Sequence, residues 1–415
     1  MSARSILYVS QLAPPSTLVA ARRVAGFTNY LARLGHRVTV LTSRVSGEGE
    51  IEGAHRVVRT NDLMLTRLNW RRGHFEAFSG EGKGGYERPS VLERVVVPDL
   101  ALATWMPFAL PRALALAREE RFDCVISSSP PQSAHLLGLA LRRRGICWIA
   151  DFRDGWTFEP QQPPWRLALQ RRADSSLERR VARRADALVA VTEPIAEDLR
   201  RRFGARVELI TNGFDPEEAP DGRTNGLLDP GRHSVVHTGR MAAARSSPEP
   251  LLAAIRQLKT EAPAVSERLE VVFAGPLSAE EQELLAAPDL DGLVRSLGQL
   301  PRPRALALQR AADSLLVVTE GSRRRSVATG KLFEYLAAGK PVLVLGEETE
   351  AARIVAGTGS GFAASATDPT AIAAALRRLV EASSTDPPST RHIGRYSYSE
   401  LAERLSALIE DVCGR

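Results

Sequence analysis

The sequence predicts an α/β fold made of two domains, each built on a parallel β-sheet. The chain has 415 residues, which is more than one hydrophobic core usually serves. Short apolar runs alternate with helical patterns in strict rotation, as is typical of βαβ units. A polar stretch rich in Gly and Pro, DPEEAPDGRTNGLLDPGRH, interrupts this rotation once, and the rotation restarts after it. We therefore expect two Rossmann-like, doubly wound domains that face each other across a cleft.

The first domain is expected over residues 1–215. Its predicted strands are SILYVSQ, HRVTVLTS, CVISSS, CWIADF, ALVAVT and VELITNG, with helical patterns between them. The stretch from about 44 to 95 breaks the rotation because it is rich in glycine and charged residues. Its segment FSGEGKGGYERPS is predicted to be a mobile loop.

Residues 216–232 are expected to be a linker, and residues 233–390 a second domain. The predicted strands of this domain are SVVHTGR, LEVVFAG, VRSLGQL, SLLVVTE and VLVLG. Residues 391–415 form an amphipathic pattern that predicts a C-terminal helix, able to pack on either domain, including back on the first. In open parallel sheets ligands bind beyond the carboxyl ends of the strands, so we expect the functional residues in the loops that follow strands.

Composition indicates a globular cytoplasmic protein. Apolar residues make up 44% and charged residues 25%, and no apolar run is long enough to span a membrane or to resemble a signal peptide. Cys124 and Cys147 lie in apolar runs and are expected to be buried free thiols. The spacing of these two residues and Cys413 matches neither a zinc site nor a disulfide framework, which fits a reducing cytoplasm.

Basic residues cluster in the first domain, between residues 141 and 202, and the formal net charge is +6. The segment LERRVARRAD places Arg179, Arg180, Arg183 and Arg184 on one ridge of a helix. Two interpretations remain open: a solvated helix face, or a surface for anionic membrane lipid or an anionic acceptor. Nucleic acid is a less favoured partner, because the basic runs lack interleaved aromatic residues.

The most informative segment is TGKLFEYLAAGKPVLVLG, residues 329–346. Thr329 and Gly330 stand at a predicted helix start, where free N–H groups and the helix dipole favour phosphate. Lys331 adds a positive charge, and Glu334 lies one turn further, where its carboxylate can accept hydrogen bonds from a ribose diol. This is the layout of a bound nucleoside diphosphate. The alternative is that Glu334 only complements the helix dipole and pairs with Lys331.

These motifs resemble those of GT-B fold glycosyltransferases of the family 4 type. KLFEYLAAGKPVLVLG resembles the nucleotide-sugar motif of the family, LARLGHRVTVLTS its second strand with the preceding helix, and ITNGFDPE the turn before its linker. HTGRMAAAR resembles the segment in which two basic residues hold the diphosphate, here Arg240 and Arg245. The resemblance implies a donor site in the second domain, an acceptor site in the first, and transfer with retention of anomeric configuration.

The chain also departs from the family pattern. Many members carry two glutamates eight positions apart, but here Ser326 stands in the first position and Glu334 in the second. Where relatives have a histidine after the fifth strand, this chain has DFRDGW, which resembles a DFRDPW subgroup linked to surface polysaccharide or secondary-metabolite glycosylation. By this resemblance Asp151, Arg153 and Asp154 are expected to shape the sugar or acceptor pocket.

The favoured hypothesis is a metal-independent retaining glycosyltransferase. Its donor is a nucleoside diphosphate sugar, with a UDP-sugar favoured, and its acceptor bears a hydroxyl group. The acceptor stays open among a polysaccharide intermediate, a lipid-linked sugar and a natural product, and weak peripheral association with an anionic membrane is one expectation. No cofactor and no metal site is expected. The alternatives are a sugar-nucleotide epimerase on the same fold and a nucleotide-sugar-binding protein without catalysis.

Overall fold

The computed structural model describes residues 3–63, 94–160, 165–218, 226–241, 247–319, 324–382 and 392–414. The chain forms two compact units. Unit 1 comprises Met1–Gly213 and Tyr396–Arg415, and unit 2 comprises Phe214–Arg395. The predicted mobile loop FSGEGKGGYERPS lies outside the described residues.

Unit 1 is built on a seven-stranded parallel sheet with the order β3-β2-β1-β4-β5-β6-β7. Its strands are β1 (Ser5–Val9), β2 (Arg37–Ser43), β3 (Ala54–Thr60), β4 (Cys124–Ser129), β5 (Cys147–Phe152), β6 (Ala187–Ala190) and β7 (Val207–Leu209). The helices before the linker are α1 (Val19–Arg33), α2 (Ala101–Thr104), α3 (Met106–Glu119), α4 (Ala134–Arg142), α5 (Ala168–Arg184) and α6 (Glu193–Phe203).

Unit 2 is built on a six-stranded parallel sheet with the order β10-β9-β8-β11-β12-β13. Its strands are β8 (His233–Thr238), β9 (Leu269–Ala274), β10 (Val294–Ser296), β11 (Ser314–Val318), β12 (Val342–Leu345) and β13 (Gly361–Ala364). Its helices are α7 (Glu249–Glu261), α8 (Pro263–Ser266), α9 (Ala279–Leu285), α10 (Arg302–Ala311), α11 (Gly330–Ala338), α12 (Glu350–Thr358) and α13 (Pro369–Glu381). The last helix, α14 (Tyr398–Cys413), belongs to unit 1.

Both units therefore have the predicted class, a parallel sheet with helices, and in each the strand order reverses once. The sequence analysis missed β3, which pairs with β2 at the edge of the first sheet. Most residues of β3 are only half-buried, so its sequence AHRVVRT lacks the continuous apolar run that marks the inner strands.

The first sheet carries a hydrophobic core on each face, as a doubly wound fold requires. Side chains alternate along β1, so that Leu7 packs with Trp105 and Trp148 on one face, while Tyr8 packs with Phe27 on the other. Helix α14 covers the second face beside α1. Its Tyr398 ring lies so close to Gly26 that a Cβ at this position would meet the ring at 2.4 Å.

The structure corrects the expectation for two of the three cysteines. Cys147 and Cys413 form a disulfide across 266 residues of sequence, with their Cα atoms 5.5 Å apart, whereas Cys124 is a buried free thiol as predicted. Sequence spacing gave no sign of this pairing, because only the return of α14 to the first sheet brings Cys413 beside β5. Among the described residues, no helix has the length and apolarity needed to cross a membrane.

Candidate functional site

The strand order of unit 2 points to one place for a ligand. Strands β8 and β11 are neighbours from which the chain winds in opposite directions, and crevices at such switch points bind ligands beyond the carboxyl ends of the strands. Gly239 and Arg240 follow β8, and the segment after β11 leads to the start of α11 at Gly330. Two segments of the predicted donor site therefore meet at the switch point.

Two glycines allow the turn after β8. Gly239 has φ +80°, a conformation that favours glycine, and its N–H donates to the carbonyl of Ala274 at 2.7 Å. Gly275, which follows β9, approaches this turn so closely that a Cβ there would lie 2.2 Å from the Gly239 carbonyl oxygen. The backbone of Arg240 is thereby fixed against the end of the sheet.

Lys331 joins the start of α11 to this turn. Its ammonium group donates to the Arg240 carbonyl and to Nε2 of His237 at 3.0 Å. The other ring nitrogen of His237, Nδ1, lies 2.9 Å from the carbonyl of Leu316, and Nε2 also lies 3.0 Å from the carbonyl of Arg240. Burial and the nearby charge of Lys331 lower the pKa of His237 to about 3. The positive charge at the turn therefore comes from Lys331 and Arg240.

The start of α11 offers donors for an anion. Thr329 is the N-cap residue and has extended backbone, but its side chain makes no capping hydrogen bond. Its Oγ1 atom is buried and has no hydrogen-bond partner among the described residues. The first N–H groups of a helix have no intrahelical acceptor, so an oxyanion there gains hydrogen bonds as well as the favourable dipole. The helix ends on Gly339, which has φ 69° and the left-handed conformation.

Glu334 lies one turn into α11 and is only 9% exposed. Arg302 at the start of α10 donates to its Oε1 at 2.9 Å, and Gln309 donates to its Oε2 at 3.3 Å. The same Arg302 forms an ion pair with Glu218. Arg302 and Gln309 therefore orient the carboxylate from α10. A carboxylate has about four lone-pair positions and so can accept several hydrogen bonds at once.

A depression in unit 2 opens beside Glu334. Its other lining residues come from the segment before β8, from α10 and from the end of α11, and they are Phe214, Asp215, Glu218, Leu306, Gln309, Arg310, Ala337 and Ala338. The lining combines apolar side chains with charged groups. This combination suits a ribose ring whose hydroxyls face a carboxylate.

A buried hydrogen-bond network connects α10, β8 and α11 behind the depression. The Tyr335 hydroxyl accepts from the backbone N–H of Thr238 at 2.7 Å, and Gln309 donates to Oγ1 of Thr238 at 2.8 Å. Burial raises the pKa of Tyr335 to about 12, so the hydroxyl stays protonated. The network fixes the end of β8 against the helix that carries Glu334.

In unit 1, the structure places Asp151 in a buried ion pair. Arg23 donates to both carboxylate oxygens, at 3.0 and 2.8 Å, and Ser128 donates at 2.7 Å. Burial alone would raise the pKa of Asp151, but the charge and hydrogen bonds of Arg23 outweigh it, and the pKa lies below its usual value. Arg23 also donates to the carbonyls of Ile210 and Thr211. Asp151 therefore holds α1 and the end of β7 to β5.

Arg153 and Asp154 lie just beyond β5, at the carboxyl edge of the first sheet. The Arg153 guanidinium donates to the carbonyls of Ser129 and Pro130, and burial lowers its pKa while Asp151 opposes this effect. Asp154 is half-buried. Arg153 and Asp154 thus lie in a segment that follows a strand, while Asp151 contacts Arg23.

Comparison with known families covers most of the chain. The family model for Glycosyltransferase Family 4 matches residues 20–218, and the model for Glycosyl transferases group 1 matches residues 232–382. The chain is a GT-B fold glycosyltransferase of the family 4 type. The first model lies on unit 1 apart from its last five residues, and the second lies on unit 2, so the order of the two halves agrees with the order inferred from the motifs.

Solved structures similar to this glycosyltransferase share its fold at low identity. Sucrose-phosphate synthase from Thermosynechococcus elongatus is 18% identical with a TM-score of 0.68, over 99% of both chains. Anabaena HepE in complex with UDP and glucose is 15% identical with a TM-score of 0.63, over 98% of this chain and 100% of that chain. The OtsA apo structure is 16% identical with a TM-score of 0.64, over 99% of both chains. No match was found among curated proteins.

The structure of the glycosyltransferase brings Arg240, Thr329, Gly330, Lys331 and Glu334 into one region of unit 2. Arg245 lies outside the described residues. Sequence reasoning missed Arg302 and Gln309, which support Glu334. Both residues fall on the helix that follows the strand pattern VRSLGQL, and this position is the sequence signal for Arg302. Gln309 offers a further cue, because it is a polar residue at a buried helix position.

Proposed function

We propose that this glycosyltransferase transfers a sugar from a nucleoside diphosphate sugar to a hydroxyl acceptor, with retention of anomeric configuration and without a metal ion. The observation that carries the proposal is the layout of unit 2. Lys331 and the turn at Arg240 meet at the start of α11, and Glu334 lies one turn further beside a depression. An anion at the helix start and a diol at the carboxylate one turn further correspond to the order of these groups in a ribose diphosphate.

The diphosphate would lie against the start of α11. Backbone N–H groups at Thr329 and Gly330 would donate to its oxygens, and Lys331, Arg240 and Arg245 would supply positive charge. As the bond between the anomeric carbon and the diphosphate oxygen breaks, negative charge grows on that oxygen. Fixed donors and cations that face the oxygen stabilise this transition state. In the proposal these groups fulfil the role that a divalent cation has in other glycosyltransferases.

A UDP-sugar is the favoured donor. Structures of Anabaena HepE, which shares the fold, contain UDP and UDP-glucose. For this chain the ribose would hydrogen-bond to Glu334, whose carboxylate Arg302 and Gln309 hold in place. Ser326, which is buried, replaces the glutamate that many relatives use for a sugar hydroxyl, so backbone N–H groups near Thr329 would take over that contact.

Retention would follow if the acceptor hydroxyl approaches on the face that the diphosphate leaves. The departing phosphate oxygen then accepts the acceptor proton, and no enzyme nucleophile is required. Arg153 and Asp154 are proposed to shape the acceptor side. Asp151 would act through Arg23 as a positioning residue, because both of its oxygens already accept from the Arg23 guanidinium.

A ligand screen tests the donor site. We expect UDP to raise the melting temperature more than GDP, TDP or ADP, both with and without EDTA, since a ligand at 100 times its Kd adds about 2.7 kcal/mol of stability. With the matching UDP-sugar, proton NMR of the product should show the anomeric configuration of the donor. A nucleotide effect that EDTA abolishes would contradict metal independence. Release of an epimerised sugar nucleotide, without transfer to any acceptor, would instead support the epimerase.

We also propose weak peripheral binding of unit 1 to an anionic membrane. Three apolar side chains are strongly exposed around the start of α5: Val95 at 61%, Leu167 at 63% and Leu169 at 76%. Gln170 donates to the backbone carbonyl of Arg94, which holds Val95 near the start of this helix. Further along α5 the exposed ridge consists of Arg179, Arg180, Arg183 and Arg184. Exposed apolar groups beside arginines suit a lipid surface, where each arginine contributes about 1 kcal/mol.

Co-sedimentation with vesicles tests this membrane proposal. Wild type should pellet with phosphatidylserine vesicles at low salt and stay in the supernatant with phosphatidylcholine vesicles. Replacing the four ridge arginines by Gln should abolish pelleting. The control carries the same charge change on unit 2, at Arg304, Arg310, Arg353 and Arg377. Equal behaviour of the two variants, or no pelleting of wild type, would favour a water-soluble acceptor.

A further inference from the structure

The sulfur atoms of all three cysteines lie within 4.8 Å of one another. Cys124 and Cys147 are the first residues of β4 and β5 and face each other in register, while Cys413 is the last residue of α14. The cluster therefore lies at the amino ends of the strands, at the edge of the first sheet opposite to Arg153 and Asp154. It is separate from the proposed transfer chemistry.

We propose that reduction of the Cys147–Cys413 disulfide turns this cluster into a three-thiolate binding site for a thiophilic cation, Zn²⁺ or Cu(I). A disulfide uses two sulfurs, but the structure gathers three. Cys124 is fully buried and takes no part in the disulfide. A metal site would use all three sulfur atoms as ligands.

The spacing of the sulfurs suits a shared ion. Zinc–thiolate bonds of about 2.3 Å place the sulfurs of one site roughly 3.8–4.0 Å apart. The present packing already holds all three within 4.8 Å. Cleavage of the disulfide lets Cys147 and Cys413 separate to this distance through small side-chain movements. Two of the ligands stand on neighbouring strands of the sheet, which fixes their positions before an ion arrives.

The ligand chemistry favours soft cations. Among the described residues the cluster contains only thiol groups, with no histidine or carboxylate as a further ligand. Thiolates select Zn²⁺ and Cu(I), whereas Mg²⁺ and Ca²⁺ prefer oxygen ligands. Cys147 and Cys413 are half-buried, so a cation can enter from solvent once they are reduced. A three-coordinate Cu(I) fits the set as it stands, and Zn²⁺ would take a water as its fourth ligand.

A dithiol can act as the reductant that converts the disulfide into two thiols. The dithiol gives two electrons and two protons to the Cys147–Cys413 bond and becomes a disulfide itself, while Cys147 and Cys413 become thiols. Binding of the cation then displaces the three thiol protons to solvent. Either the disulfide or the metal ion would attach the end of α14 to the sheet, so the attachment persists in both redox states.

Zinc binding by the full chain tests the proposal. The protein is reduced anaerobically, freed of reductant and titrated with Zn²⁺ against a chromogenic chelator. Reduced wild type should bind one Zn²⁺ per chain, and the oxidised form none. Cys124→Ser should retain the disulfide when oxidised but bind Zn²⁺ at least about ten-fold more weakly when reduced, since loss of even an outer-shell partner costs this much at metal sites. Cys413→Ser should lose both properties.

Alkylation of wild type provides a test that needs no variant to fold. Zn²⁺ should protect Cys147 and Cys413 of the reduced chain from a thiol reagent, counted by mass spectrometry, while the role of the fully buried Cys124 is read from the Zn²⁺ affinity of Cys124→Ser. Equal alkylation of Cys147 and Cys413 with and without Zn²⁺, equal Zn²⁺ affinity of wild type and Cys124→Ser, or no Zn²⁺ uptake by reduced wild type would each overturn the proposal and leave the cluster as a disulfide beside a packed thiol.

Discussion

Glu334 is buried in α11 and accepts hydrogen bonds from Arg302 and Gln309. Replacing it by Gln keeps the shape of the side chain but removes the charge that strengthens a hydrogen bond to a ribose hydroxyl. Such a bond is worth about 1.5–3 kcal/mol, so we expect kcat/KM to fall about ten-fold or more and donor affinity to fall with it. Calorimetric titration with UDP and steady-state kinetics measure both. The control is Glu348→Gln, an exposed glutamate of unit 2. Wild-type values for Glu334→Gln would remove the ribose assignment.

Arg302 orients this carboxylate through its bond to Oε1 and is itself paired with Glu218. Arg302→Gln should weaken donor binding about three- to ten-fold with a smaller effect on kcat, because it removes one charged hydrogen bond that acts before the chemical step. Arg304→Gln is the matched control, since Arg304 is exposed two residues further along α10. An equal effect of the two substitutions would indicate that only the net charge of this helix matters.

Residue-level roles show where sequence reasoning stops. The positions of Thr329, Gly330 and Glu334 follow from the helix start, because local patterns encode local structure. The bond between Glu334 and Arg302 does not, because Arg302 lies 32 residues away along the chain. Likewise Asp151 looks like a site residue in DFRDGW, and only the packing of α1 shows that Arg23 occupies its carboxylate.

At the scale of elements, the close contact between the turns after β8 and β9 has a measurable consequence. In Gly275→Ala the new Cβ would lie 2.2 Å from the Gly239 carbonyl. The backbone of one turn must therefore shift, and we expect a loss of about 1–3 kcal/mol of stability together with weaker UDP binding. Gly357→Ala is the control. It lies in α12 with nothing within 4 Å, and alanine should stabilise this helix by up to about 1 kcal/mol. Unchanged UDP affinity in Gly275→Ala would separate this turn from the donor site.

Most elements could be predicted because buried parallel strands are continuous apolar runs. The edge strand β3 could not, since its half-buried residues carry charge. The disulfide could not be predicted for a different reason: it depends on α14 returning to unit 1 after all of unit 2. Local periodicity predicts elements, whereas contacts across hundreds of residues require the folded chain.

At the scale of the whole molecule, each unit contains a buried neutral histidine. Burial lowers the pKa of His135 in unit 1 to about 3, and the pKa of His237 in unit 2 is also about 3. In the unfolded chain both would have the usual value near 6.5. Below pH 6.5 the unfolded state therefore binds more protons than the folded state. The free energy of unfolding, which is at its full value above this pH, falls progressively as the pH decreases towards 3.

From pH 7 to pH 5 this linkage costs about 2 kcal/mol for each histidine. Urea unfolding at the two pH values measures it, and replacement of His135 or His237 by Gln should reduce the loss by about this amount. His55→Gln, at an exposed position, is the control substitution. If both buried substitutions kept the full acid sensitivity, another group that titrates in the unfolded chain between pH 7 and pH 5, such as the partly buried His233, would be its source.

Unit 1 is completed by the last segment of the chain, and this affects how the protein is made. The ribosome must add residues 214–395 before Tyr398 can cover Gly26. At 5–20 residues per second, the roughly 200 residues after Gly213 take about 10–40 s. During that time the apolar side of α1, which α14 later covers, stays exposed. Unit 2, which is one continuous segment, can already fold before α14 is synthesised. We expect chaperones to be needed most in this interval.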